Sequence, residues 1–281
     1  MEKVRIGFLL PLTDGWLGGV NYYRNLLNIL SRNPEFDLVG IIPKHMNKTL
    51  LHGFPKIEYV RTVALDSCGW GFFLRRCIHK FFRYDYMLKY AVNKAHIQVL
   101  SHVQEPCNFK GIKQIGWIPD FQHKHLPNFF SREEVIARDK GFEKLAKVCD
   151  CVILSSQDAK KDFTEYMSSY AQKAKVLSFV VLVNRDVSCS EEELLEYDIP
   201  EKFFYIPNQF WVHKNHRLVL EALLLLHNRG IDITVICTGN TEDYRSVDHY
   251  RKLQNFVQEN QLQRNFRVLG KVPYSVVVGL M

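Results

Sequence analysis

The residues best placed to do chemistry lie in one run, F-F-Y-I-P-N-Q-F-W-V-H-K-N-H-R-L-V-L-E-A at 203–222. Phe203 to Ile206 reads as a buried strand that breaks at Pro207 into a short loop, and Lys214 stands at the end of that loop, just before an amphipathic helix. A strand, loop and helix joined this way present unpaired backbone N–H groups and a fixed cation at one point, which suits a phosphate. A solvated surface lysine is the competing reading of Lys214. Gly239, in C-T-G-N after a second apolar run, fits a generic β-turn.

Two further constellations sit nearer the N-terminus. G-W-L-G-G-V-N-Y-Y at 15–23 follows the first apolar run. Gly18 and Gly19 permit positive φ and close backbone approach, and the helix beyond offers its positive end to an anion or a sugar hydroxyl. A tight strand-to-helix turn is the plainer alternative, and the dinucleotide fingerprint G-x-G-x-x-G is absent. W-I-P-D-F-Q-H-K-H-L-P-N-F-F-S at 117–131 is a stiff loop with two prolines and several aromatics. It places Asp120, Gln122 and His123 at the C-terminal end of a strand, where open α/β sheets bind ligands. Asp120 also fits a turn cap, and His125 an exposed loop residue. A metal pair of His123 and His125 would need further ligands, and none is adjacent in sequence.

The stretch W-G-F-F-L-R-R-C-I-H-K-F-F-R-Y-D-Y-M-L-K-Y at 70–90 sets Leu74, Cys77, Ile78, Phe81 and Leu88 on one face. Arg75, Arg76, His79, Lys80 and Arg83 crowd the other, so residues 72–90 suit either an anionic membrane surface or a core-packed helix with a solvated basic face. A formal charge of +7 fits anionic partners in general. No recognised nucleic-acid motif accompanies it, and no nucleic-acid partner is expected. The motifs of P-loop ATPases and of G-x-S-x-G hydrolases are absent, as is the Asp-x-Asp of metal-bound nucleotide-sugar sites.

These residues need a scaffold, and the chain has the means to build one. With 47% hydrophobic and 24% charged residues over 281 positions, it supports one large domain or two modest ones. Its seven cysteines lack disulfide-like or zinc-like spacing, which reads as a reduced, cytoplasmic chain. Strands are expected at Val4–Leu10, Leu38–Ile42, Ile57–Val60, Ile97–Leu100, Gln114–Trp117, Val152–Leu154 and Lys175–Phe179. Helices are expected at Tyr22–Ser31, Phe72–Lys94, Arg132–Lys147 and Asp158–Ser169. Alternation of apolar strands with helices predicts a parallel sheet covered on both faces. The acidic run 184–201 reads as a linker between residues 1–183 and 202–281. The second segment restarts the pattern with strands at Phe203–Ile206, Ile233–Cys237 and Phe266–Leu269 and helices at Asn215–Asn228 and Tyr244–Asn260.

In this order, the three motifs resemble those of family-4 glycosyltransferases of the GT-B fold. The resemblance implies an α/β protein with two Rossmann-like domains facing a cleft, an acceptor-side domain at 1–183 and the first part of a nucleotide-sugar-binding domain at 202–281. It implies a retaining hexosyltransferase that moves a sugar from a nucleotide-sugar to a saccharide or lipid-linked hydroxyl in polysaccharide biosynthesis. Neither cofactor nor metal is implied, and the protein would be cytoplasmic, with the inner face of a membrane as a place of peripheral docking. Donor contacts would come from Gly18, Gly19, Asn208, Gln209, Lys214 and Gly239, and catalytic contacts from Asp120 and Lys214; His123, three residues beyond Asp120, is placed to take over contact with the sugar or acceptor hydroxyl as a further catalytic residue. Gln209 stands where related enzymes carry a phosphate-clamping arginine, and Pro119 where they often carry histidine. The family's paired glutamates would lie beyond Met281, so the chain is expected to be a truncated or weakly active form. A non-catalytic nucleotide- or sugar-binding module and a GT-B-type epimerase or phosphorylase are the alternatives.

Overall fold

The computed structural model describes residues 3–10, 12, 17–66, 73, 85–107, 109–180, 189–243 and 246–281. The chain divides into two compact units, 1–182 and 183–281.

Unit 1 alternates strands and helices: β1 (Val4–Leu9), α1 (Leu17–Leu30), β2 (Phe36–Pro43), β3 (Glu58–Thr62), α2 (Tyr86–Lys94), β4 (Val99–Val103), β5 (Lys113–Ile118), α3 (Gln122–His125), α4 (Arg132–Val148), β6 (Cys151–Leu154), α5 (Gln157–Tyr166) and β7 (Ala174–Val176). The strands form one parallel sheet in the order β3-β2-β1-β4-β5-β6-β7. The connections out of β1 and β4 run in opposite directions along the sheet. The carboxyl ends of those two strands are therefore a topological switch point, the place whose crevice takes the ligand in open α/β sheets. Apolar side chains leave the sheet on both faces. Phe8, Leu10, Tyr23 and Leu27 pack on one, and Val39, Ile41, Leu100 and Phe163 on the other.

Local signals explain the helix limits. Ser131 and Glu134 close a reciprocal capping box at the start of α4. At its other end Lys173 Nζ donates to the carbonyls of Ala146, Lys147 and Cys149 at 2.9, 3.1 and 2.8 Å, so one ammonium caps the helix and complements its negative pole. The helix expected at Tyr22–Ser31 starts earlier, at Leu17, and takes in Gly18 and Gly19. Neither is among the glycines with positive φ, so the conformational freedom they permit is not used there. Of the long basic helix expected at Phe72–Lys94, α2 accounts for the C-terminal part; the remainder, except Phe73, lies outside the described residues. Among the described residues no helix is long and apolar enough to cross a membrane.

Unit 2 contains α6 (Glu191–Leu195), β8 (Phe204–Ile206), α7 (His216–His227), β9 (Val235–Thr238), α8 (His249–Glu259), β10 (Phe266–Gly270) and α9 (Tyr274–Gly279). Its three strands are parallel in the order β10-β9-β8. The central strand alternates: Val235 and Cys237 join Phe210, Leu220, Leu223 and Leu253 beneath α7 and α8, whereas Ile236 faces Val276 and Leu280 of α9. Part of the acidic run read as a linker is built into this unit. Ser190 and Glu193 cap α6 reciprocally, and Leu194 and Tyr197 pack against the α9 side of the sheet.

Candidate functional site

Unit 2 organises the 207–215 loop almost entirely through backbone. Gly239 has φ +137°, and a Cβ on it would come within 2.5 Å of the Asn208 carbonyl oxygen, so only glycine lets the two turns meet. Gly239 N–H donates to Gly270 O at 2.8 Å, and Phe210 N–H to Asn240 O at 2.8 Å. The Asp243 carboxylate accepts Val212 N–H at 3.0 Å. Phe210, fully buried, anchors the loop and stacks on His216 with ring centroids 4.2 Å apart. Asn215 adopts the left-handed conformation, φ +54°, at the N-cap of α7 and makes no side-chain capping bond. The first turn of α7 is therefore left without a side-chain acceptor, and Lys214 is exposed beside it. The strand, loop and helix follow one another as expected from 203–222, but the strand is not buried, Phe204 being 65% exposed; Gln209 is half-buried in the loop.

His216 was not foreseen. It is 1% exposed with no partner for either ring nitrogen among the described residues, and burial, with smaller contributions from His249 and Lys214, pushes its pKa down to about 4. The neutral ring acts as a flat filler between Phe210 and the helix start. Nothing in H-K-N-H distinguishes it from the half-buried His213, because its burial comes from Phe210, a residue across the loop.

Unit 1 presents a different constellation at the crevice above β1 and β4. His102 near the end of β4 has φ +57°, at a register irregularity between Leu100 and Val103. A left-handed histidine beside a binding crevice stores local backbone strain. Its Nε2 lies 2.7 Å from the Tyr22 hydroxyl of α1, and its Nδ1 lies 2.9 Å from Ser101 Oγ. Tyr22 stacks on Trp117 of β5, centroids 4.7 Å apart and planes 10° from parallel. Phe179, beyond β7, stands edge-on to Tyr22 at 5.1 Å and is 57% exposed. Burial pushes the His102 pKa down to about 3 and the Tyr22 phenol up, so both are neutral. Sequence reading ended this strand at Leu100 and missed Ser101 and His102. The signal available was a polar pair closing an apolar strand.

The 117–131 loop departs from expectation. His123 is 1% exposed, enclosed by Phe121, Phe142 and Phe130, with Nε2 3.0 Å from Asp139 Oδ1. Its ring is sealed beneath α4, so direct contact with a substrate is withdrawn; it holds the loop to the helix instead. Asp120 is half exposed and accepts Gln122 N–H at 3.0 Å, closing a turn, with Arg138 at 3.5 Å. His125 points away onto Asp162 at 2.9 Å, separately from His123. A Cβ on Gly18 would meet nothing within 4 Å, so the backbone there is open on that side.

Two Rossmann-like parallel units in one chain define an α/β protein, and the solved structures it resembles carry the GT-B fold. No protein-family model matches the sequence, and no curated protein matches it. Solved structures do. A glycosyltransferase from Rickettsia africae ESF-5 is similar at TM-score 0.62 and 16% identity over 100% of this chain and 71% of its own. Anabaena Alr3699/HepE in complex with UDP-glucose is similar at TM-score 0.62 and 14% identity over 98% of this chain and 71% of its own. A UDP-N-acetylglucosamine 2-epimerase is similar at TM-score 0.58 and 10% identity over 100% of this chain and 71% of its own. The shared property is the fold.

Proposed function

We propose that the protein is a retaining, family-4-type glycosyltransferase that uses a nucleoside-diphosphate sugar, UDP-linked in the first instance. The observation that carries this reading is the 207–215 loop. An exposed lysine stands at the uncapped start of a twelve-residue helix, on a loop held in place by Gly239 and Asn208. Breaking a glycosyl–phosphate bond puts negative charge on the departing diphosphate. Lys214 and the free N–H groups of α7 are fixed donors for that charge, so no reorganisation is needed as it develops. Gln209 donates from a neutral amide in the same loop. Gly18, exposed in the first turn of α1, leaves backbone for a ligand to approach, whereas Gly19 is buried; Asp120 of the 117–131 loop reaches solvent and can orient a hydroxyl. The acceptor is a saccharide or lipid-linked saccharide.

The similarity to a UDP-N-acetylglucosamine 2-epimerase favours one second reading, isomerisation of a UDP-sugar without an acceptor. One experiment separates the two. The chain is titrated with UDP by calorimetry and then incubated with UDP-glucose and UDP-N-acetylglucosamine, with and without saccharide acceptors. Saturable UDP binding and acceptor-dependent release of UDP support transfer. A changed sugar with UDP still attached supports epimerisation. Absence of UDP binding sinks both.

A further inference from the structure

The crevice above β1 and β4 has a chemistry that the donor loop lacks. Its groups are neutral and come from four separate elements: Tyr22 on α1, Ser101 and His102 on β4, Trp117 on β5 and Phe179 beyond β7. A neutral imidazole has one donor and one acceptor nitrogen, so the chain Ser101–His102–Tyr22 runs in one of two directions. Either Ser101 O–H donates to Nδ1 and Nε2–H donates to the Tyr22 oxygen, or Tyr22 O–H donates to Nε2 and Nδ1–H donates to Ser101 Oγ. The first leaves the Tyr22 proton to donate outward; the second leaves a Tyr22 lone pair to accept. One hydroxyl can therefore serve as donor or acceptor, which matches a partner that is itself a hydroxyl. Phe179 adds an exposed aromatic edge beside it, an apolar surface next to a polar handle.

We infer that this crevice binds a neutral sugar ring, with a ring hydroxyl on Tyr22 Oη and the apolar side of the ring against Phe179. Tyr22 touches the sugar; His102 and Ser101 are positioning residues that hold the phenol in place and set its hydrogen-bond direction. The stack on Trp117 fixes the plane of Tyr22, and the left-handed backbone of His102 aims the imidazole at it. A phosphate would gain little here, because a single neutral phenol offers it one donor. Identifying the sugar as the acceptor rests on the transferase reading above; its binding does not.

The test is ligand-observed NMR titration of the full chain with the methyl α-glycosides of glucose, galactose and mannose, and with their monodeoxy analogues. UDP is titrated in parallel. At least one glycoside should bind, and removal of one particular hydroxyl from it should weaken binding roughly three- to tenfold, the worth of one hydrogen bond. Tyr22→Phe, which keeps the stack on Trp117, should bind the parent glycoside as weakly as wild type binds that deoxy analogue, and should no longer distinguish the two. His102→Asn, which tolerates the left-handed backbone, should blunt the same discrimination, a readout that loss of general stability does not reproduce. Phe179→Ala should weaken parent and deoxy ligands alike. UDP affinity should stay at the wild-type value throughout. Failure of all three glycosides to bind, or unchanged discrimination in Tyr22→Phe, overturns the inference. Loss of UDP binding by wild type would instead strike the transferase reading and leave this one standing.

Discussion

The two candidate sites solve opposite electrostatic problems with opposite materials. At the 207–215 loop the donors are backbone N–H groups, a helix pole and one exposed ammonium, and side chains such as Phe210 and Asp243 serve mainly to hold the backbone. At the β1–β4 crevice the groups are neutral side chains, and the backbone contributes by placing His102 in an unusual conformation. A doubly charged diphosphate is recognised by fixed dipoles and charge, which water cannot easily replace. A sugar hydroxyl is recognised by groups that donate or accept as required.

The comparison breaks first at Lys214. Lys214→Ala should lower turnover of a UDP-sugar by about 100-fold or more, the scale for removing a fixed electrostatic donor to a developing anion. Initial rates at fixed donor would show it, and a near-normal rate would leave the loop without its assigned role. The two glycines give a sharper contrast. Gly239→Ala forces a methyl into the Asn208 backbone at a positive φ and should destabilise unit 2 by roughly 1–3 kcal/mol. Gly18→Ala meets no atom and lies in a helix, so it should leave stability unchanged or raise it by up to about 1 kcal/mol. Denaturant titration of both variants measures the difference.

The smallest effect is on pH. Each site has a buried histidine, with the pKa pushed from 6.5 to about 3 at His102 and to about 4 at His216, in both cases chiefly by burial. The unfolded chain takes up a proton at these rings below about 6.5, whereas the folded chain does not. Their contribution is present above that value and is lost as the pH falls toward the folded values. His102→Asn removes one of the two and should flatten the acid-side decline in thermal stability. An identical decline in the variant would show that His102 is solvated or already charged in the folded state.

How far the sequence reached differs between the two regions. The 207–215 loop was legible because its features are local. Pro207 ends a strand, Lys214 precedes a helix, and the periodicity of α7 is visible in L-V-L-E-A-L-L-L-L. The crevice was half legible. Gly18 and Gly19 marked the right end of the first strand, but the helix swallowed them, since first-turn glycines cost a helix little once Val20, Tyr23 and Leu27 bury its apolar side. Tyr22 and His102 are eighty residues apart, and no local pattern joins them. His123 shows the reverse error. A polar residue at the end of a strand has the address of a ligand contact, yet three phenylalanines and Asp139 close over it.

By itself the sequence determined the alternation of strands and helices, the parallel sheets that such alternation compels, and the backbone device at 207–215. All of these depend on interactions within a few residues or on periodic burial. Only the tertiary structure decided that His102, His123 and His216 are sealed, and that Tyr22, His102, Trp117 and Phe179 meet. Strand order sets those meetings. It arises from packing summed over both faces of a sheet, so no single segment encodes it.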